Sequence, residues 1–312
     1  MSAPISRDQL PRSFVRTVLE TYGGEGGRWL DDIPQLVAAC ESRLGVRVTG
    51  VVPRLGYNLV LWAEAAGGAP AVLKLSVREA ESRAELDALT VYAGATAVRV
   101  LACWAERGAL LLERAIPGTP LGDLESDDRR AMEAVATIAH ELWVDAPELL
   151  PRAPRVEGWA RGFERLRRRF AGGTGPLPAA LVERAEALFR ELLASAPPPV
   201  LLHGDLHYGN VLAAERRPWL AIDPKGVLGE PAFDAGYLLA NPSRHLVAGP
   251  TPPRRVLADR VALLPDALGL DRGRVVAYAF AQSMLSAWWS VEDHGAGWEQ
   301  AVSVAEWLTE HL

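Results

Sequence analysis

The octapeptide HGDLHYGN, at residues 203–210, constrains the fold of this chain more than any other segment. Short apolar runs bounded by polar turn residues are typical of β-strands. Such runs surround the octapeptide at Val200–Leu202, Val211–Ala213 and Trp219–Ile222. Asp205 lies inside the octapeptide, Asn210 ends it, and Asp223 follows the third run. The pattern predicts that these three side chains converge on one small volume.

This combination of side chains suits phosphoryl transfer. Asp205 can accept or orient the proton of an attacking hydroxyl, while Asn210 and Asp223 offer the hard oxygen ligands that Mg²⁺ prefers. The alternative is that Asp205 and Asn210 only stabilise a tight turn, as Asp and Asn often do. For His203 and His207, hydrogen bonding within the loop is the simpler interpretation.

A second charged position lies in the N-terminal half. Lys74 stands inside the apolar run AVLKL, where an ammonium group is costly without an anionic partner such as nucleotide phosphate. In the helix that follows, Ser76 and Glu79 have the spacing of a capping box. Glu85 borders the apolar face of that helix and Glu81 lies nearer to solvent, so Glu85 is the favoured partner of Lys74. A surface salt bridge is the alternative for either glutamate.

The order of predicted elements divides the chain into two parts. Between Val46 and Leu112, strand-like runs surround one helical segment, Val77–Ala93, and the region after Pro120 is mainly helical. The predicted helices there are Asp128–Val144, Val156–Phe170, Pro178–Ala194, Pro253–Leu268, Arg272–Glu292 and Gly297–His311. The connection, Glu113–Pro120, contains Pro117 and Gly118, which are expected to stop a strand.

These elements predict an α+β fold with two lobes. The N-terminal lobe, residues 1–113, combines a helical extension with a small, mostly antiparallel, nucleotide-binding sheet and one crossing helix. The larger helical C-terminal lobe, residues 114–312, carries the catalytic loop and the acceptor site.

Composition excludes several classes of protein. A formal net charge of −6 argues against a nucleic acid partner. No apolar stretch reaches the roughly 18 to 20 residues that span a bilayer, and the first ten residues lack the apolar core of a secretory signal. A cytoplasmic location is therefore expected. Cys40 and Cys103 are too few for a disulfide framework, and no obligate protein partner is evident.

Other catalytic motifs are missing from the sequence. No G-x-x-x-x-G-K-[ST] phosphate loop is present, and no G-x-S-x-G motif marks an esterase nucleophile. His140 and Glu141 begin an H-E-x-x-H zinc motif, but Val144 occupies the position of its second histidine.

The order lysine, helix glutamate, H-x-D-x-x-x-x-N and strand-ending aspartate is that of a protein-kinase-like fold. HGD replaces HRD, DPKG replaces DFG, and no APE motif or multi-glycine loop is recognisable, so the match to eukaryotic protein kinases is incomplete. Through LLHGDLHYGNVLAAERRPWLAIDPKGVLGEPAFD and the late WWSVED, the chain resembles the aminoglycoside phosphotransferase family. The likeness is to its branch of streptomycin 6-phosphotransferases and hydroxyurea phosphotransferases, and it extends from about Arg54 to Glu292.

The resemblance implies an ATP site, with GTP not excluded, and Mg²⁺. It implies Asp205 as the catalytic base, Asn210 and Asp223 on the metal, and Lys74, oriented by Glu85, on the α and β phosphates. It also places the adenine against backbone groups of Glu113 and Ala115.

The acceptor is less constrained by the sequence. The resemblance implies that carboxylates bind it, and the available positions are Glu230, Asp234, Glu292 and Asp293. Residues 275–312 contain no Lys or Arg, which favours a cationic acceptor such as streptomycin. Lys225 adds positive charge near the expected acceptor, which favours a neutral one such as hydroxyurea. Glu292 and Asp293 stand at a predicted helix C-terminus, where negative charge is unfavourable, and simple exposure to solvent is the alternative for both.

The resulting hypothesis is an ATP- and Mg²⁺-dependent phosphotransferase. It would phosphorylate a hydroxyl of a small-molecule antibiotic or drug, either a streptomycin-type aminoglycoside or hydroxyurea, and confer resistance by inactivating it. A metabolic kinase of small alcohols or amino sugars is the alternative with the same chemistry. A nucleotide-binding regulator without turnover is the alternative from another class, and the missing activation-segment motif disfavours a protein kinase.

Overall fold

The computed structural model of the protein describes residues 5–145, 148, 150–241 and 244–312. The chain forms two compact units, Met1–Ala115 and Ile116–Leu312. The boundary expected from the sequence, after residue 113, lies slightly earlier. No helix in the described part of the chain is long and apolar enough to cross a membrane.

The first unit is built around a five-stranded antiparallel sheet with the strand order β1-β2-β3-β5-β4. Its elements are α1 (Arg12–Leu44), β1 (Arg47–Val51), β2 (Leu59–Glu64), β3 (Pro70–Leu75), α2 (Glu79–Tyr92), β4 (Val100–Trp104) and β5 (Ala109–Glu113). Alternation along β2 buries Leu59, Leu61 and Ala63, which join Leu30 and Ile33 of α1 in one apolar core. The central strand, β3, carries Lys74.

The predicted capping box of α2 is wrong. The helix begins at Glu79, its N-cap is Arg78, and no side chain caps it. Glu79 is thus the first helical residue and not the third, as a capping box requires. The amide of Ser76 donates a hydrogen bond to the carbonyl of Gly108, which ties Ser76 to the sheet.

The second unit is mainly helical. Its helices are α3 (Leu121–Leu124), α4 (Asp128–Leu142), α5 (Glu157–Arg169), α6 (Ala179–Ala194), α7 (Pro231–Ala240), α8 (Arg244–Val247), α9 (Pro253–Leu268), α10 (Arg272–His294) and α11 (Glu299–Leu308). Helix α10 is buried along most of its length and packs against α5, α6, α7 and α11. A helix that is apolar on most sides is expected at the centre of a helical core.

Short strands cross this helical unit and position its polar loops. They are β6 (Pro117–Pro120), β7 (Val200–Leu202), β8 (Val211–Ala214), β9 (Trp219–Ala221) and β10 (Val227–Gly229). Strands β6, β8 and β9 form one antiparallel sheet, and β7 pairs with β10.

The expectation that Pro117 and Gly118 end strand structure is wrong, since both lie in β6. This strand lies at the edge of its sheet, where a proline interrupts no ladder on its outer side. The predicted α+β class, with a small antiparallel sheet and one crossing helix before a larger helical part, is confirmed.

Candidate active site

The 203–210 loop runs from β7 to β8 and ends in a 3₁₀ turn, Tyr208–Asn210. Gly204 adopts φ 81°, a left-handed conformation that favours glycine. A Cβ atom at this position would lie 2.7 Å from Cγ2 of Val227. Glycine is therefore needed here both for its backbone conformation and for the close approach of β10.

The carboxylate of Asp234, near the start of α7, fixes the first turn of this loop. Its Oδ2 accepts hydrogen bonds from the amide of His203 at 2.9 Å and from Nε1 of Trp143 at 3.2 Å. Its Oδ1 accepts one from the amide of Gly204 at 2.8 Å. Burial raises the pKa of Asp234 to about 6, and the three hydrogen bonds act in the opposite direction. Asp234 therefore positions the loop from beneath.

His203 links the loop to the strand that precedes Asp223. Its Nδ1 accepts a hydrogen bond from the amide of Asp205 at 3.2 Å, so Nε2 carries the proton and donates it to the carbonyl of Ile222 at 2.9 Å. The side chain is fully buried, and burial lowers its pKa to about 4. A neutral histidine in this one tautomer makes both contacts, which agrees with the simpler interpretation of His203 from the sequence.

His207 likewise bonds within the loop. Its Nδ1 accepts from the amide of Gly209 at 3.0 Å, and its Nε2 lies 3.8 Å from Oδ1 of Asp205. Burial lowers the pKa of His207, so the ring is neutral at pH 7.

Asn210 is held beside Asp205. Its Nδ2 donates to the carbonyl of Asp205 at 2.9 Å and approaches Oδ2 at 3.3 Å. Its own carbonyl accepts from the amide of Ile222 at 2.9 Å, so Asn210 lies next to the residue before Asp223. The side-chain oxygen of Asn210 accepts no hydrogen bond from the described part of the chain, which leaves it available to a metal ion.

Asp223 follows β9 in an unusual backbone conformation, with φ 58°. Left-handed values are uncommon outside glycine, although Asp tolerates them better than most residues. The ammonium nitrogen of Lys225 lies 3.0 Å from Oδ1 of Asp223 and 3.7 Å from Oδ2 of Asp205. One cation thus bridges the two carboxylates that the sequence singled out.

The oxygens of Asn210 and Asp223 fit a magnesium ion. Both are hard donors, and the hydrogen bond between Ile222 and Asn210 brings their two backbone segments together. No group of three or more His, Cys, Asp or Glu residues capable of holding a metal occurs in the described residues. A site with few protein ligands suits Mg²⁺, which keeps waters and binds substrate phosphates.

In the first unit, Lys74 of β3 forms a buried ion pair with Glu85 of α2. The distance from Nζ to Oε2 is 2.6 Å, and the two residues are 5% and 4% exposed. Glu81 instead lies near Arg78 at the surface. Glu85, rather than Glu81, is therefore the partner of Lys74. The pair holds the ammonium in the middle of the sheet, where a single buried charge would be unstable.

Glu113 and Ala115 lie at the end of the first unit. Glu113 ends β5, and its carboxylate accepts a hydrogen bond from the amide of Arg99 at 2.9 Å. The backbone amide and carbonyl of Ala115 make no hydrogen bond to any described residue. An amide that is not used internally can bind a nucleobase.

The structure gives two of the four predicted acceptor carboxylates other roles. Asp234 is fully buried beneath the 203–210 loop. Glu230 is 4% exposed and forms a two-point ion pair with Arg274, with contacts of 2.5 and 2.9 Å. Helix α7, which the sequence did not predict, begins directly after Glu230 and contains Asp234, and both side chains are buried.

The other two carboxylates lie near the end of α10. Glu292 pairs with both Nε and Nη2 of Arg165 at 2.8 and 2.9 Å. The hydrogen bond with Glu292 raises the pKa of Arg165, and the negative charge of the half-buried Asp293 acts in the same direction. Arg165 thus neutralises part of the acidic surface that the sequence suggested for a cationic acceptor.

Sequence reasoning missed a buried network that supports the loop from the other side. Arg260 of α9 is 2% exposed and binds both carboxylate oxygens of Asp128 at 2.7 and 2.8 Å. The hydroxyl of Tyr208 donates to Oδ1 of Asp128 at 3.1 Å. An arginine on the apolar face of α9, between Leu257 and Leu264, was the sequence signal that could have revealed it.

The sequence matches a family model described as aminoglycoside/hydroxyurea antibiotic resistance kinase over residues 47–294. The chain belongs to this family. The resemblance proposed from the sequence is thereby confirmed, and so is the prediction of a phosphotransferase that acts on a hydroxyl group.

Two curated relatives align with nearly the whole chain. Streptomycin 6-kinase of Streptomyces glaucescens is 32% identical over 304 residues, which cover 97% of this chain and 98% of that protein. Hydroxyurea phosphotransferase of Kitasatospora aureofaciens is 37% identical over 314 residues, which cover 96% of this chain and 86% of that protein.

Solved structures show the same fold at lower identity. Choline kinase from Streptococcus pneumoniae aligns with a TM-score of 0.58 at 13% identity, over 88% of this chain and 96% of that one. An aminoglycoside phosphotransferase from Streptomyces rimosus, solved with ADP and streptomycin, aligns with a TM-score of 0.57 at 21% identity, over 82% of this chain and 98% of that one. The predicted protein-kinase-like fold is confirmed.

Proposed function

We propose that this protein transfers the γ-phosphoryl group of ATP, with Mg²⁺, to a hydroxyl of a small-molecule antibiotic or drug and so inactivates it. The observation that carries the proposal is the arrangement of Asp205, Asn210 and Asp223 around one loop. The relative from Streptomyces rimosus, which binds ADP and streptomycin, supports the nucleotide. A location in the cytoplasm, where ATP is available, is part of the proposal.

The proposed reaction is a direct displacement. The acceptor oxygen attacks the γ-phosphorus and forms a new P–O bond, while the bond from phosphorus to the β,γ-bridging oxygen breaks and leaves its electron pair on ADP. Asp205 orients the acceptor hydroxyl and takes its proton. Asn210 keeps Asp205 in place through the contact to its carbonyl at 2.9 Å.

The remaining roles are divided between the two parts of the chain. Residues 1–113 supply Lys74, which contacts the α and β phosphates, and Glu85, which orients it. Backbone groups of Glu113 and Ala115 bind the adenine. Residues 114–312 supply the catalytic loop and the acceptor site. In this second part, Asn210 and Asp223 hold Mg²⁺, which when bound offsets the charge of the phosphates.

For the acceptor, the structure favours a small neutral molecule of the hydroxyurea type. Asp234 and Glu230 are buried on internal partners, and Glu292 is paired with Arg165. The strongest candidate anions for a polycation are therefore already engaged. The relative from Kitasatospora aureofaciens, a hydroxyurea phosphotransferase, supports the same choice.

Streptomycin is the second candidate. The relative from Streptomyces glaucescens is a streptomycin 6-kinase, and residues 275–312 of this chain contain no Lys or Arg. An exposed ion pair such as that of Glu292 and Arg165 has a small net stability, so a polycation can displace the arginine.

The test is Mg²⁺-dependent ADP production by the purified protein with hydroxyurea and with streptomycin in parallel, using Asp205→Ala as the control. Phosphorylated hydroxyurea alone supports the neutral acceptor, and phosphorylated streptomycin alone selects the second candidate. ADP production with other small alcohols or amino sugars, but with neither drug, selects a metabolic kinase. Nucleotide binding without turnover on any of them contradicts the proposal and selects the regulator.

A further inference from the structure

Lysine is rare in this chain. Of its 33 Lys and Arg residues, only Lys74 and Lys225 are lysines. Arginine serves everywhere else, including the ion pairs of Arg260 and Arg274. A guanidinium group is a planar fork that suits two-point binding of one carboxylate, whereas an ammonium group is a compact charge on a flexible stem. Lys74 and Lys225 therefore carry a compact, movable charge, whereas the other positions carry the planar fork of arginine.

Lys225 combines a fixed backbone with an accessible side chain. Its amide donates to the carbonyl of His203 at 2.6 Å, which attaches the main chain to the 203–210 loop. Its side chain is 40% exposed, and its ammonium lies 3.0 Å from Asp223 and 3.7 Å from Asp205. The flexible stem therefore starts from a defined point beside the proposed reaction site.

The contact with Asp223 is in competition with metal binding. A carboxylate oxygen that binds an ammonium is less available to a magnesium ion, and Asp223 is a proposed magnesium ligand. When nucleotide and metal enter together and the metal takes up Asp223, the ammonium can turn on its flexible stem from Asp223 to another nearby anion. The oxygens of the γ-phosphate are the anions that arrive at the same time.

We propose that Lys225 is a further catalytic residue, whose ammonium moves from the Asp205 and Asp223 carboxylates to the oxygens of the transferred phosphoryl group. This inference rests on the proposed function. Lys225 exchanges no proton and forms no covalent bond. It donates hydrogen bonds to the phosphoryl oxygens while the bond to the acceptor forms and the bond to ADP breaks.

Nucleotide affinity tests this role without turnover. Calorimetry with Mg²⁺ compares ADP with a non-hydrolysable ATP analogue, using the wild-type protein and the variants Lys225→Met, Lys74→Met and Arg190→Met. Lys225→Met is expected to weaken the analogue about 10-fold, as for loss of a hydrogen bond to a charged group, and to leave ADP affinity little changed. Lys74→Met is expected to weaken both nucleotides, because Lys74 is placed on the α and β phosphates.

Arg190 provides the matched control for charge. It is exposed on α6, and its replacement removes one positive charge as the other two variants do. Arg190→Met is expected to leave both affinities unchanged. In turnover, Lys225→Met is expected to lower kcat about 100-fold, as for the loss of one donor to the transition state, and Lys225→Arg to restore part of it.

The deciding measurement is the ratio of the affinity for the ATP analogue to the affinity for ADP, compared between each variant and the wild-type protein. A ratio that is unchanged in Lys225→Met, or an equal weakening of ADP and the analogue, overturns the proposal. If Lys225→Met does not fold, Lys225→Gln keeps a polar side chain and is judged by the same ratio. A wild-type protein that binds neither nucleotide would overturn the proposed function itself, whereas a failure of the Lys225 proposal alone leaves wild-type binding intact.

Discussion

The two units of this protein hold their candidate catalytic residues in different ways. In the first unit, one buried ion pair between Lys74 and Glu85 places an ammonium group in the central strand. In the second unit, Asp205 stands on a loop that is held from several sides, by Asp234 beneath its first turn and by Asn210 at its end.

The comparison shows where rigidity comes from in each case. The ammonium of Lys74 is held through a buried ion pair, and breaking such a pair is strongly destabilising. In the loop around Asp205, backbone amides donate to carboxylate and imidazole groups, and the carbonyl of Asp205 accepts from the side-chain amide of Asn210, so no single contact holds the loop. We therefore expect changes at Lys74 or Glu85 to affect stability and activity together, and a change at Asp205 to affect activity alone.

The largest expected effect is that of Asp205→Asn on turnover. Loss of a general base lowers kcat by about 10²- to 10⁴-fold. Binding of MgATP and the unfolding midpoint should change little. The backbone amide and carbonyl of Asp205 keep their bonds to His203 and Asn210, and the side-chain oxygen of the new asparagine can still accept the 3.3 Å contact from Nδ2 of Asn210. Asp259→Asn, an exposed aspartate on α9, is the matched control. Normal turnover of Asp205→Asn would remove Asp205 from the role of base.

The ion pair of the first unit is expected to show its effect in stability. Glu85→Gln removes one charge of a buried ion pair and should cost about 3–5 kcal/mol in the free energy of unfolding. The double variant Lys74→Met with Glu85→Leu should recover much of that loss, yet remain inactive, because an apolar pair removes the buried charge and also the phosphate contact. Urea unfolding and turnover, measured on Glu85→Gln, on the double variant and on its two single changes, Lys74→Met and Glu85→Leu, check this.

The double variant is instead additive if its loss of stability equals the sum of the losses in the two single variants. That result would contradict the idea that the buried charge causes the loss of stability. It would point instead to packing around α2.

The same contrast explains what the sequence could reveal. Lys74, Glu85 and Asp205 were found because each stands in a local pattern, a strand, a helix face or a short motif. Asp234 and Trp143 were not recognised as supports of the loop. Asp234 lies 31 residues from His203 in the chain, and Trp143 lies 91 residues from Asp234. Contacts of that separation depend on the packing of whole elements, which one sequence does not encode locally.

The prediction of secondary structure from the sequence has the same limit, because it also depends on local patterns. Helix α9 was predicted with its observed bounds, Pro253–Leu268, because its apolar residues recur at helical spacing. Helix α7, Pro231–Ala240, was missed because nearly all its residues are buried, so it has no polar face and no period. Its burial is also the reason that Glu230 and Asp234 are not exposed to an acceptor.

A difference in stability separates the buried and exposed candidate residues of the acceptor site. Glu230→Gln is expected to cost about 3–5 kcal/mol, because it breaks a largely buried pair with Arg274, and Glu292→Gln about 0–1 kcal/mol, because its pair with Arg165 is exposed. Thermal unfolding measures both. KM for streptomycin should rise in Glu292→Gln if streptomycin is the acceptor, while KM for hydroxyurea should stay the same.

A KM for streptomycin that is insensitive to Glu292→Gln, in an enzyme that turns streptomycin over, would show that the acidic end of α10 takes no part in its binding. Asp293→Asn then serves as the remaining test of that helix end.

The smallest net effect is expected in the pH dependence of stability, because two buried groups beneath the loop, His203 and Asp234, contribute in opposite directions. The buried His203 has a pKa of about 4, below its ordinary 6.5, so the unfolded chain binds more protons and stability rises with pH between about 4 and 6.5. The buried Asp234 has a pKa of about 6, above its ordinary 3.8, so the folded chain binds more protons and stability falls with pH between about 4 and 6. Each effect amounts to about 3 kcal/mol, and the two oppose each other in the wild-type protein.

Single variants separate these two effects. The stability of the wild-type protein minus that of His203→Gln should rise from pH 4 to pH 6.5, since only the wild type loses stability when His203 is protonated. The same difference with Asp234→Asn should fall from pH 4 to pH 6. Urea unfolding across this range measures both differences, and titration of the other carboxylates cancels in each. Two flat differences would mean that neither group is held away from its ordinary pKa, and the loop would then owe its position to backbone contacts alone.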